Sequence, residues 1–309
     1  MLAPESAAYA GPPTPSAIVT WLDRHGERFG LIVAAGLWVV MVVTSGIHFD
    51  ITVAPLGNVP VGPALDARAY WEADMAHPYA NASAGMPGAY LYSPAFLLAL
   101  TPLRILPWPL FVAVWVGILL LAVRWMVGPR LLGLGVIAAF PELWGANIVI
   151  LLGAALVAGF ARPGAWAFHA LTKVTPAVGV LWFVVRREWR AVLEIAVVTA
   201  AIVGVSYLLM PSGWADWIGV LRGNTSAPGT WASLNIPLVV RAPFAVALVA
   251  WAAWTGRRWV LPIGCLLALP ILWYGGFAIL LAVIPLRWPE RTGRGTPAAG
   301  AAGALPIAS

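Results

Sequence analysis

From Gly30 to Arg287 the chain is a succession of apolar runs separated by short polar clusters, with little of the strict alternation that marks a half-buried strand. The first run, Gly30 to Ile47, has the length of one bilayer crossing, which takes about 17–25 residues. Further runs at 92–106, 108–127, 131–143, 146–161, 164–185, 191–210, 235–255, 259–272 and 273–287 predict an all-α transmembrane bundle of about nine to ten segments. Several are too short to cross unaided. Pro141, Pro262 and Pro270 lie inside apolar stretches, where proline breaks or kinks a helix. Such pieces are expected to be short or re-entrant, because broken helices at membrane depth survive only against protein or a cavity.

Two polar stretches interrupt the pattern. The longer, 48–91, holds Asp50, Asp66, Glu72 and Asp74 against the single base Arg68, and its acidic balance places it outside. Within it, Asp66 to Ala73 has the composition of a short amphipathic helix lying on the membrane, with Tyr70 and Trp71 suited to the interface. The second external stretch, 211–234, carries Trp214 and Trp217 and reads as a connector. Arg186-Arg187-Glu188-Trp189-Arg190 is the strongest cytoplasmic mark, followed by Arg257-Arg258 and the tail from Arg287. Counting spans back from it places residues 161–164 outside, 104–107 inside and the acidic loop outside. The N-terminus is then cytoplasmic, behind Arg24 and Arg28. The same count strands Arg124 and Arg130 outside, where they are expected to snorkel to the interface. Residues 1–29 and 288–309 are expected to be disordered cytoplasmic tails around one transmembrane domain, 30–287, of a multi-pass plasma-membrane protein.

Composition narrows the classes. Apolar residues make up 61% and charged residues 10%, against about 25% charged in a soluble domain, so no stretch remains for a sizeable soluble unit. The net charge of +6 sits at the edges of apolar runs, which argues against a nucleic-acid surface. Cys265 is alone, which excludes intrachain disulfides and cysteine metal sites and makes it a small buried hydrophobe. No tight acidic cluster marks a divalent metal, and no cofactor is expected.

An ionisable group at membrane depth needs a reason. Lys173, in Leu171-Thr172-Lys173-Val174-Thr175-Pro176, either reaches up to the interface or faces a polar cavity. His169 stands at i−4 on the same helix face, and Pro176 frees the Thr172 carbonyl as an acceptor. From spacing alone, the chain presents an external acidic loop facing a buried lysine.

The string Asp66-x-x-x-Tyr70-Trp71-x-Ala73, His77-Pro78-Tyr79, Tyr90-x-Tyr92-Ser93-Pro94 and Pro102-Leu103 resembles the first external loop of glycosyltransferase family 87. Asn147 ahead of an apolar helix, Lys173-x-Thr175-Pro176 and Trp182 through Arg190 resemble a second set of its motifs, in the same order, so that the likeness covers about residues 30 to 225. The resemblance implies a GT-C fold with its active site at the outer membrane face. It implies a polyprenyl-phosphate donor carrying a sugar such as mannose or arabinose, a glycolipid or glycan acceptor, and inversion at the anomeric centre, with no metal required. The family's catalytic acidic residue falls on Asp66 and its conserved lysine on Lys173, which, with His169 or Arg222, would hold the donor phosphate. Arg68, Tyr70, Trp71, Tyr79, Tyr92, Asn147 and Asn224 are the expected substrate-binding residues. The family's late aromatic or histidine motif corresponds to Leu269 through Gly276, which has no histidine. Two other readings stay open: a protein that binds or transports a lipid-linked sugar, for which two matching halves would be expected and none is visible, and a structural subunit.

Overall fold

The computed structural model describes residues 17–53, 57–80, 82, 88–223 and 233–292. Helix α1 (Ala17–Thr44) opens the fold. A hairpin of β1 (Phe49–Val53) and β2 (Gly57–Val61) follows, paired antiparallel with Phe49 opposite Val61, and then α2 (Leu65–Glu72). Next come α3 (Pro94–Arg104), α4 (Trp108–Val127), α5 (Leu132–Ala138), α6 (Phe140–Gly145), α7 (Val149–Ala158), α8 (Ala167–Thr172) and α9 (Leu181–Val185). The long α10 (Trp189–Leu209) leads to α11 (Pro211–Gly223), α12 (Leu238–Thr255), α13 (Leu261–Leu267) and α14 (Val283–Arg287). The fold is all-α apart from the hairpin, which the sequence did not predict.

Among the described residues, four helices, α1, α4, α10 and α12, are long and apolar enough to cross a membrane by length and composition. Helix α10 buries only Ile195 and Ser206 and leaves Leu193, Val197, Val205 and Leu208 exposed, so its surroundings must themselves be apolar.

The bundle has two unlike ends. At one, Arg130 pairs with Asp23 at 3.1 Å and Arg124 with Glu27 at 3.2 Å. Gly164 N–H donates to Glu194 at 2.9 Å, Arg258 lies over the Phe160 ring, and Arg186 donates to the Ala253 carbonyl. This is the basic end. At the other, Trp108 Nε1 donates to the Ser45 carbonyl, Trp71 Nε1 to the Leu106 carbonyl, and Arg104 Nε to the Trp71 carbonyl.

These contacts correct three expectations. Helix α1 starts at Ala17, because Asp23 and Glu27 on its first turns find basic partners, so part of the expected tail is helix. Residues 92–106 are no span: α3 has its start packed near Gly213 and its end tied to α2, both at the end opposite the basic one. Without that crossing, Arg124 and Arg130 fall at the basic end with Arg24 and Arg28. Residues 161–164 lie there too, beside Glu194, and not at the opposite end.

The short helices explain why. Chain leaves the basic end through α5 and α6, turns at residues 145–148, and returns through α7. It climbs again through a 3-10 turn at Pro163–Trp166 and α8, turns at Lys173–Val174, and returns through the 3-10 stretch Thr175–Val180 and α9. A third hairpin rises through α13, turns at residues 268–273, and descends through the 3-10 stretch Tyr274–Ala282 into α14. The run read as one span, 164–185, is therefore a hairpin. Pro176 cannot donate to the carbonyl four residues back, and Val174 takes φ 42°, a conformation rare for a β-branched residue, so the helix ends at Thr172. The stretch 211–234, expected as a connector, begins as α11, with Trp214 and Trp217 buried and Trp217 Nε1 donating to the Leu91 carbonyl.

Candidate active site

The tips of the three hairpins meet under α2. Ala64 N–H donates to the Trp144 carbonyl at 2.7 Å, which fixes the start of α2 over the first tip. That contact brings Asp66, in the first turn of α2, against Gly145: a β-carbon on Gly145 would stand 2.9 Å from Asp66 Oδ2 and 3.3 Å from the Trp273 ring. Only glycine leaves room for both.

Behind Asp66 lies an aromatic wall. Tyr70 is fully buried, with Tyr92, Phe96 and Trp115 edge-on around it at 5.2, 5.6 and 5.5 Å between ring centroids. Its hydroxyl meets that of Tyr92 at 3.1 Å, and Tyr92 in turn reaches Asn147 Oδ1 at 3.5 Å. Asn147 Oδ1 also accepts the Ile148 N–H at 2.6 Å, and Trp115 Nε1 donates to the Ala146 carbonyl at 2.8 Å, so the first tip is held rigidly. Tyr79 donates to the Tyr92 carbonyl at 2.7 Å and supports the wall from outside.

Lys173, at the second tip, is half-buried with its Nζ 5.6 Å from the centre of the Tyr92 ring. It stands within electrostatic reach of Asp66, Tyr92 and Glu142. Enclosure of Asp66 pushes its carboxyl above the ordinary value of 3.8, while the Lys173 charge and a hydrogen bond from Asn147 pull it partly back. Although Asp66 as a residue is only half-buried, its Oδ2 sits among Gly145, Asn147 and Trp273, which is why burial dominates.

Glu142, which sequence reasoning passed over, completes the charged group. It is fully buried in α6, and its Oε1 accepts the N–H of Val149, the first residue of α7, at 2.6 Å. A carboxylate suits a helix start, where free N–H groups and the helix dipole favour negative charge. Two carboxyl groups thus flank one ammonium. The signal was present: an acidic residue inside an apolar run is as costly as the lysine that was singled out.

Other expected site residues stand elsewhere. Arg68 turns along α2 to pair with Glu72 at 2.8 Å and covers the Trp108 ring, so it does not act on Asp66. Trp71 packs on Trp108 with its N–H on the Leu106 carbonyl. His169 is buried with its ring 4.6 Å from that of Trp166, in the packing between hairpins, because the helix break after Thr172 separates it from Lys173. Arg222 is exposed in the last turn of α11, and Asn224 lies outside the described residues. Cys265 is buried, with its thiol on the Pro176 carbonyl.

A second unforeseen residue, Arg241, is buried in α12 with no carboxylate partner among the described residues. It donates to the carbonyls of Ile236, Leu267, Leu269 and Pro270, clamping the approach to the third tip and so to Trp273. A surface cavity lined by Leu121, Trp125, Ala154 and Ala158 opens at the basic end and shares no residue with this cluster.

No curated protein and no solved structure matches the chain. The family model of glycosyltransferase family 87 matches residues 90–309, which include Asn147, Lys173 and Trp273 and leave α2 with Asp66 ahead of the matched part. On that match over most of its length, the chain belongs to glycosyltransferase family 87.

Proposed function

We propose that the protein transfers a mannose- or arabinose-like sugar, with inversion, from a polyprenyl-phosphate donor to a lipid or glycan acceptor. The site lies at the end of the bundle opposite the basic one, where most of the arginines gather, and by the positive-inside rule its own end is extracytoplasmic in a cell membrane. The reading rests chiefly on one observation: a carboxyl group and an ammonium group stand within electrostatic reach of each other at the hairpin tips of a glycosyltransferase.

An acceptor hydroxyl is a poor nucleophile until its proton is taken. Asp66, its carboxyl made more basic by enclosure, accepts that proton as the hydroxyl oxygen attacks the anomeric carbon. The bond from that carbon to the phosphate oxygen breaks, and its electron pair stays on the leaving lipid phosphate. Lys173 stabilises the charge that grows there, more in the transition state than in the ground state. Asn147 and Tyr92 orient the two charged groups. A narrow apolar groove between α3 and α10, lined by Ala95, Leu98, Ala201, Ile202, Val205 and Leu209, starts next to the Tyr92–Pro94 turn and suits an isoprenoid chain entering from lipid.

The test is sugar transfer by purified protein from labelled polyprenyl-phosphate mannose or arabinose. Asp66→Asn is expected to abolish transfer while leaving donor binding intact. Near-normal turnover in that variant removes Asp66 as the base.

A further inference from the structure

Two buried polar atoms beside the cluster have no hydrogen-bond partner. Glu142 uses Oε1 on the Val149 N–H, and its Oε2 accepts nothing. Trp273 Nε1 is buried and donates to nothing. Buried polar atoms are almost always paired, so each such exception calls for an account.

The two atoms flank one place. A β-carbon built on Gly275 would lie 2.6 Å from Cζ2 and Cη2 of Trp273 and 2.7 Å from Glu142 Oε2. The corresponding point on Gly276 is 3.6 Å from Trp273 Cδ1. Cζ2 and Cδ1 lie on either side of Nε1 along the ring, so the N–H edge runs along the Gly275–Gly276 backbone, and the unpaired oxygen lies beside the same Gly275. The adjoining edge of the same indole, Cη2 and Cζ3, faces Gly145 and Asp66 Oδ2. Asp66 and Glu142 therefore both stand near the Cη2 end of one ring.

A ligand group that serves both atoms must donate to the carboxylate and accept from the indole. A phosphate only accepts and is repelled by Glu142; an ammonium only donates. A hydroxyl does both. We propose that Glu142 Oε2 and Trp273 Nε1 form a subsite that reads one ring hydroxyl of the transferred sugar, beside the Asp66–Lys173 pair. This inference rests on the transferase reading for the identity of its ligand. A site built to pair with a hydroxyl discriminates strongly against an analogue lacking it, because the site's own groups are then left unpaired. A buried water would satisfy the same two atoms without reading any sugar, and the experiment separates the two.

Polyprenyl-phosphate mannose and its set of monodeoxy analogues are compared on wild type, Glu142→Gln and Trp273→Phe, with kcat/KM for transfer and displacement of labelled donor measured in parallel. Trp273→Phe keeps a ring in the slot and removes the N–H. Glu142→Gln keeps the shape and turns the free acceptor into a donor. With wild type, one deoxy analogue is expected to lose about 10- to 100-fold. Both variants should impose a loss of that size on the parent donor and no further loss on that one analogue. Equal losses for every analogue, the result of a packing or water-bridging role, overturn the subsite. If one variant fails to fold, the other carries the same comparison. Hydroxyl-selective binding without transfer counts against the transferase reading and for the subsite; transfer without hydroxyl selectivity counts against the subsite alone. No displacement by any mannosyl or arabinosyl donor counts against both.

Discussion

Replacing Gly145 by alanine puts a methyl group where the structure has none to spare. The new carbon would stand 2.9 Å from Asp66 Oδ2, whereas ordinary contact begins at 3.4 Å, so the carboxylate must move by about 0.5 Å or turn away. It would also press on the Trp273 ring at 3.3 Å. The backbone gives no second reason for a change, since Gly145 is not among the residues with positive φ. Overpacking of this kind costs about 1–3 kcal/mol of stability. Misplacing a catalytic group by about 1 Å costs about 100-fold in rate, so a shift of half that size predicts a fall in kcat of about 10-fold or more with the donor KM little changed. Gly204→Ala is the control: nothing lies within 4 Å of that position in α10, and exchanging glycine for alanine in a helix adds up to about 1 kcal/mol. It should leave transfer untouched and raise the unfolding temperature slightly. Steady-state transfer from labelled donor, with thermal unfolding in detergent, decides the matter; Gly145→Ala at wild-type kcat would show that Asp66 does not need the position it occupies.

Three further outcomes follow from the same contacts. Because enclosure raises the Asp66 carboxyl above 3.8, its ionised form opposes folding, and the stability it contributes is present at low pH and lost as pH rises through the folded value; Asp66→Asn should thus be at least as stable as wild type at neutral pH, with the difference gone below about pH 4, as read by unfolding curves across pH, and a less stable variant at pH 7 contradicts this. Arg241→Lys replaces a fork that serves four carbonyls with a single ammonium, so it should cost about 2–4 kcal/mol in unfolding free energy and lower transfer through Trp273, whereas an unchanged unfolding temperature shows the clamp is dispensable. Arg124→Ala removes an ion pair whose side chains are 39% and 53% exposed, and should change stability by at most about 1 kcal/mol; a loss above about 2 kcal/mol would mean the basic end is a packed interface.

The sequence made the bundle and its polar interruptions readable, since apolar runs of fixed length follow from the thickness of a bilayer. Lys173 was legible as a charge inside such a run. Glu142 and Arg241 carried the same signal and were missed, the first next to Pro141 at the edge of a presumed span, the second inside an otherwise uniform one. Hairpins were harder to see, because a short apolar run bounded by prolines reads alike whether the chain crosses or turns back. That ambiguity also produced the false crossing at 92–106 and, with it, the misplaced Arg124 and Arg130. His169 was tied to Lys173 by helical spacing, a relation that ended where Pro176 and Val174 stop the helix. Trp273 stood in the late stretch, 269–276, that the resemblance singled out, but its spacing did not set it apart among 18 tryptophans; the glycines beside its ring acquire meaning only once the tips are brought together.

The central claim, that Asp66 and Lys173 serve one reaction in one pocket, is tested most directly by a double-mutant cycle in kcat/KM with Asp66→Asn and Lys173→Met. Groups that act as a unit lose their effect together, so the double variant is expected to be no more impaired than the worse of the two single variants. A double variant whose loss equals the product of the single losses would mean that the two residues act independently, and the shared pocket would have no part in the chemistry.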